Sequence, residues 1–399
     1  MNLRITTLLI LLTPPLFALT LTPEALEQET RRAVIEATVF IEDLQTVDDS
    51  NFGYLTYASA QIETIHQTWA DESQIPLAGH RVLLQLIGGE KLGRGIRFSG
   101  YPIVNPNYLY RVRLARVPNQ TDTFEMVGFD HFFTPVDRNG RSLASRNRVD
   151  GSQQSGTGAY LFWPDRFLPI PYYISAPTFK GHSNYLDAID ASFATWRNET
   201  DTKIDFLAMG CTTQPRNEND GINNIILVTE HWPFANEAIA VTRNFYISEE
   251  GPYSGAVIDS DILLNGAHFR FSTDQTPNTH DIQNILTHEI GHFLGFGHEI
   301  EPKDTNAVMY EVAAANEIKK RTLKSNDLQI LNGSYSGFRT RQGSVSTVCA
   351  IEQDAVSCAS APKNSLGSKM PVGAMITLIG WILALITMGR ISFHHRRIS

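Results

Sequence analysis

One stretch constrains this chain more than any other: His288-Glu289-Ile290-Gly291-His292-Phe293-Leu294-Gly295-Phe296-Gly297-His298. Around it Ile282, Ile285, Leu286, Ile290 and Phe293 recur at helical spacing, which predicts a helix from about Asp281 to Leu294 with one side in a core. Thr279 or Asp281 can cap it. His288 and His292, four residues apart, then stand one above the other, and both imidazoles can reach one ion. Glu289 sits beside that face without taking a ligand position. Gly295 falls one turn later, where a left-handed residue ends a helix at little steric cost and turns the chain back to bring in His298. Three nitrogen ligands with a fourth position open is the pattern of a catalytic zinc site, and a neighbouring carboxylate can act as general base on water.

These residues resemble the metzincin metallopeptidases, whose H-E-x-x-H-x-x-G-x-x-H signature precedes a Met-turn. Ala307-Val308-Met309-Tyr310 supplies such a turn, and a tyrosine directly after Met309 is closest to the matrixins. The resemblance implies an α+β fold: a twisted mixed sheet with an active-site helix and a C-terminal helix, spanning residues 159–338. Tyr172-Tyr173-Ile174 is similar to its opening strand, Leu186 to Trp196 to its first helix, and Leu323 to Leu331 with Asp327 to its closing helix. Asn224 to Val228 reads as a buried strand, and Asp259 to Asn265 resembles the edge strand along which an extended substrate pairs. The resemblance further implies catalytic Zn2+ on His288, His292 and His298, with Glu289 as catalytic base. It also implies a metalloendopeptidase acting on protein or peptide substrates. A structural Ca2+ or a second Zn2+ stays open, with Asp259, Asp261, Glu249, Glu250, His231 and His268 as unassigned candidates. None of the cysteines precedes the catalytic region, so a thiol-based latency switch is not expected.

Both ends read as addresses rather than fold. Met1 to Thr20 carries Arg4 and then an apolar run, as an export signal does, and Pro14-Pro15 argues against a stable spanning helix. Val372 to Gly389 lacks charge and would reach about 27 Å as a helix, enough for a hydrocarbon core. The basic residues of 390–399 should then stay cytoplasmic and the zinc site should face the extracytoplasmic side. The expected chain is thus exported and membrane-anchored through its C-terminal helix, unless tail processing releases or sorts it. With a net charge of -9, it offers no electrostatic case for nucleic acid.

Between signal and catalytic region, residues 21–138 read as a β-rich, small barrel-like domain, with strands at Val82 to Ile87, Tyr110 to Leu114 and Phe124 to Phe129. Its role is open between a latency segment, a folding aid and a substrate-binding module. Arg111, Arg113 and Arg116 alternate as on a solvated strand face. Residues 139–158 have the composition of a linker and 339–371 that of a stalk. Of three cysteines, Cys349 and Cys358 are close enough in sequence for a local disulfide, which would leave Cys211 single. A reading from another class is a membrane-tethered surface-binding protein whose metallopeptidase fold is catalytically unused. The intact Glu289 speaks against it.

Overall fold

A computed structural model describes residues 20–71, 75–102, 104–127, 133–141, 160–213, 218–298, 304–339, 343–345, 350–351 and 356–357. The export signal, nearly all of the linker and stalk, Cys349, Cys358, the apolar run 372–389 and the basic tail lie outside them. Among the described residues no helix is long and apolar enough to cross a membrane. The chain divides into two compact units, Met1–Ala359 and Ser360–Ser399, and everything described belongs to the first.

The chain enters as a short strand, β1 (Thr20–Leu21), and a helix, α1 (Pro23–Arg32). Thr22 caps α1 by accepting the Ala25 N–H at 3.1 Å, and Pro23 supplies the fixed φ of a first helical turn. Two long strands follow, β2 (Ile35–Asp49) and β3 (Gly53–Thr68), paired antiparallel throughout. Alternation buries Ile35, Ala37, Val39 and Ile41 with Ala58, Ala60 and Ile62 in one cluster. The remaining strands here are β4 (Arg81–Ile87), β5 (Gly89–Lys91), β6 (Arg94–Phe98), β7 (Leu109–Arg116), β8 (Thr123–Met126) and β9 (Phe133–Val136). Pairing runs β2–β3–β4–β8–β7 and back to β2, with β4 and β8 parallel. The hairpin β5–β6 leaves this ring and joins a different sheet. Arg111 and Arg113 both bond Glu36 across the strands, at 2.7 and 2.9 Å, so they are a strand-face ion cluster.

The second sheet is built on β10 (Ile170–Ser175), β11 (Phe206–Thr212), β12 (Asn224–Val228), β13 (Ala238–Ile247) and β14 (Val257–Asn265). Its order is β11-β10-β12-β14-β13-β6-β5. The first four are mutually parallel and β13 runs antiparallel to β14. The expected edge strand, Asp259 to Asn265, is therefore an inner strand with β12 on one side and β13 on the other. β13 is the strand next to the site, and its far side is covered by β6 and β1. A further correction concerns Cys211, which is disulfide-bonded and not the single cysteine expected.

Three helices complete this half: α2 (Leu186–Arg197), α3 (Ile282–Phe293) and α4 (Ser325–Tyr335). Ile189, Phe193 and Trp196 fall on one face of α2 at helical spacing and are fully buried in the cluster that holds Ile285, Leu286, Ile290 and Phe293 of α3. Phe193 also stacks on Tyr172 of β10 with ring centroids 3.8 Å apart. The Trp196 indole N–H donates to the Thr287 carbonyl at 2.8 Å, so α2 fixes both the distance and the rotation of α3. Trp196→Ala should lower stability by about 3–5 kcal/mol, the usual loss for a buried aromatic. Denaturant unfolding checks it, and an unchanged midpoint would contradict this packing role.

Candidate metal centre

The helix α3 starts where Asp281 accepts the Asn284 N–H at 2.8 Å. That cap is held in turn by Arg321, whose Nε donates to Asp281 Oδ1 at 2.8 Å. The helix ends as the sequence requires. Gly295 has φ of +94°, and a Cβ there would meet the Leu161 carbonyl oxygen at 2.4 Å, so only glycine fits. The Gly295 and Phe296 N–H groups donate back to the carbonyls of His292 and Gly291, at 2.8 and 2.9 Å. Tyr335 of α4 donates to the Leu294 carbonyl at 2.7 Å, and the Trp163 indole donates to that of Phe293, also at 2.7 Å. These contacts fix the reversal that returns His298 to the helix.

His288, His292 and His298 converge. The Nε2 of His292 lies 3.0 Å from that of His288 and 3.1 Å from that of His298. The His288 Nδ1 lies 2.6 Å from the Val308 carbonyl and the His292 Nδ1 lies 2.7 Å from that of Phe296. A carbonyl can only accept, so in both rings Nδ1 carries the proton and Nε2 presents a lone pair. Burial, joined by neighbouring positive groups, holds both rings well below the usual histidine range and hence neutral. Lone pairs facing each other at these distances repel unless a cation lies among them. The donor set fits zinc, and among the described residues it is the one group of histidine, cysteine and carboxylate side chains that could hold a metal.

Glu289 points to the opposite strand. Thr242 of β13 donates its hydroxyl to Glu289 Oε2 at 2.7 Å, and Asn244 of the same strand donates to the His292 carbonyl at 2.9 Å. Below the histidines, Met309 is fully buried against Gly291, where a Cβ would meet its sulfur at 2.2 Å. The turn carrying Met309 is gripped from α4: Asp327 accepts the Val308 and Met309 N–H groups at 2.9 and 3.1 Å. Lys320 is buried beside the same turn and donates to the Tyr310 carbonyl. Desolvation brings its ammonium down to about 8.

A family comparison bears on this arrangement. Residues 169–336 match the family model described as Matrixin. The match begins at the residue before β10 and ends at the residue after α4, so it takes in the second sheet's own strands, all three helices and the histidine cluster. It supports a metzincin-type metallopeptidase domain and, with it, zinc metallopeptidase function. No match was found among curated proteins.

The matrixin-like span brings His288, Glu289, His292, His298 and Met309 together. The other candidates stay apart from them. His268 bonds Asn265 through Nδ1 at 3.1 Å, and His231 is exposed with φ of 53°. His280 is buried at the entry to α3. Asp259 and Asp261 are buried on β14 and staple the chain before β12: Asp220 and Gly221 donate to Asp259, Asn224 donates to Asp261, and Arg243 stands opposite Asp261. Burial lifts the Asp259 carboxyl to about 6. Thr242, Asn244 and Lys320 escaped the sequence reading. No motif marks them, and only strand pairing and the Met-turn bring them to the site. Asp327→Ala should loosen the turn behind His288 and weaken zinc affinity by about tenfold. Zinc titration against a competing chelator checks this, and unchanged affinity would remove Asp327 from the support of the site.

Proposed function

We propose that residues 159–338 are a zinc-dependent endopeptidase that cleaves extracytoplasmic proteins. The observation that carries this reading is the convergence of three imidazole Nε2 atoms beside a buried, hydroxyl-held carboxylate. His288, His292 and His298 would hold the zinc. Zinc there supplies Lewis acidity, which makes water acidic enough to ionise near neutral pH and polarises a carbonyl. Glu289 takes the proton of the attacking water and passes it to the leaving amine. Thr242 fixes the carboxylate by donating its hydroxyl to Oε2. β14 is paired on both sides, so an extended peptide would lie along Ala238 to Val241 of β13, the stretch that β6 does not pair and that the two-residue β1 meets.

In this reading the ring of strands β2, β3, β4, β8 and β7 is the small barrel ahead of the peptidase. Residues 1–20 direct export, 372–389 anchor the chain and 390–399 remain cytoplasmic. Fractionation tests the last part: the full chain should pellet with membranes and its peptidase half should be open to added protease from outside. Recovery wholly in the soluble fraction with the tail intact would contradict anchoring.

Glu289→Ala should retain zinc and lose roughly 10²- to 10⁴-fold in peptide hydrolysis, since the carboxylate acts on water and not on the metal. His298→Ala should lose zinc as well, because two imidazoles leave too few ligands. Metal analysis together with cleavage of a peptide library decides both. Hydrolysis by Glu289→Ala at the parent rate would discard the mechanism. A zinc-loaded protein whose residual activity ignores chelators would favour the surface-binding alternative.

A further inference from the structure

Where the hairpin β5–β6 leaves the ring of strands β2, β3, β4, β8 and β7, a cavity of about 240 Å³ lies between them. Leu44 of β2, Leu86 of β4 and Val104 form its wall on the barrel side, all part of the barrel's apolar cluster or packed against it. Glu90 of β5, Ile96 and Arg97 of β6 and Tyr246 of β13 form the opposite wall. Two close approaches set these walls. A Cβ on Gly89 would meet the Thr56 Oγ1 at 2.0 Å, and one on Gly95 would meet the Tyr246 ring at 2.1 Å. Glycine at both positions lets the hairpin seat against the barrel and the phenol ring lie across β6. An apolar cavity of roughly 150 Å³ is already enough to take up benzene. The space here therefore accepts an aromatic ring on a short stem, and the mouth of a barrel is a common place for such a ligand.

The polar groups around the cavity run almost entirely one way. Thr56 donates its hydroxyl to the Gly88 carbonyl at 2.8 Å, and the Thr46 and Thr56 oxygens are 2.8 Å apart. Each hydroxyl has one proton, so Thr46 donates to Thr56 and offers the cavity only lone pairs. Tyr246 donates its phenol proton to Glu90 Oε1 at 2.9 Å, which leaves the phenol oxygen as an acceptor too. The Glu90 carboxylate adds a negative charge to this set. A carboxylate ligand would meet one cationic side chain in the lining, Arg97, against these acceptors. A primary ammonium, with three N–H groups and a positive charge, matches them.

We propose that this cavity is a binding site for a small aromatic amine, its ring between Leu86, Val104 and Ile96 and its ammonium facing Glu90, Tyr246 and Thr46. The chemistry is a ring on a short stem that ends in a primary ammonium. Free arylalkylamines share it with the N-terminal phenylalanine of a peptide. The site stands independently of the peptidase reading, since no metal and none of the clustered histidines belongs to its lining.

Phenethylamine is the probe, titrated into the full chain by calorimetry with and without a zinc chelator. Saturable binding of equal strength in both conditions is expected. Glu90→Gln should weaken it on the order of tenfold, the loss that follows when a charged acceptor becomes neutral. Val104→Phe, which places a ring of its own in the cavity, should abolish it. The anion 3-phenylpropionate should bind about tenfold more weakly than the amine. The tripeptide phenylalanyl-glycyl-glycine separates the two sources: tighter binding than phenethylamine assigns the site to peptide N-termini, and weaker binding assigns it to free amines. Absence of saturable binding, binding that disappears with the metal, or 3-phenylpropionate held as tightly as phenethylamine would overturn the proposal. Should Val104→Phe not fold, unchanged affinity in Glu90→Gln does the same.

Discussion

Two backbone carbonyls decide what the site can be. Val308 O and Phe296 O each take the Nδ1 proton of a helix-borne histidine, which turns the Nε2 lone pairs toward a common point. Neither carbonyl belongs to α3, so the helix alone cannot set the tautomers. Val308 is held by Asp327, and Phe296 by the reversal at Gly295. A histidine cluster assembled this way is only as rigid as the turns behind it. That accounts for the buried polar contacts gathered there, each of which would be costly to leave unpaired.

Much of this was legible in the sequence because local rules agree with one another at α3. Helical spacing, an aspartate cap, histidines four apart and a glycine where the chain must turn back all point to one arrangement, and the structure has it. The opening strand, the first helix and the closing helix were legible through their resemblance to matrixin elements, and β12 as a short apolar run. In the N-terminal half β4 and β7 were readable by length and alternation. The long pair β2 and β3 was not singled out, since its alternation is interrupted by register shifts at Glu36, Thr38 and Ile41.

The edge strand was misread for a physical reason. An edge is recognised by polar residues on its open side, yet nine of the ten residues of β13 are buried because β6 and β1 cover it. Ala238 to Ile247 and Val257 to Asn265 therefore carry similar signals, and only strand order tells them apart. Thr242 and Asn244 were hidden by the same circumstance. Polar side chains on a strand that seems internal have no evident purpose until α3 is seen to cross it.

The hairpin β5–β6 lends two strands from the first half of the chain to the sheet of the second half. During synthesis this half emerges first, so the strands that finish the second sheet exist before that sheet begins. Folding of the later half then proceeds against a prepared border rather than with a bare strand exposed to its neighbours. The two halves are consequently bound to share one cooperative transition. Severing the connection between them would cut the polypeptide without dismantling the sheet they hold in common.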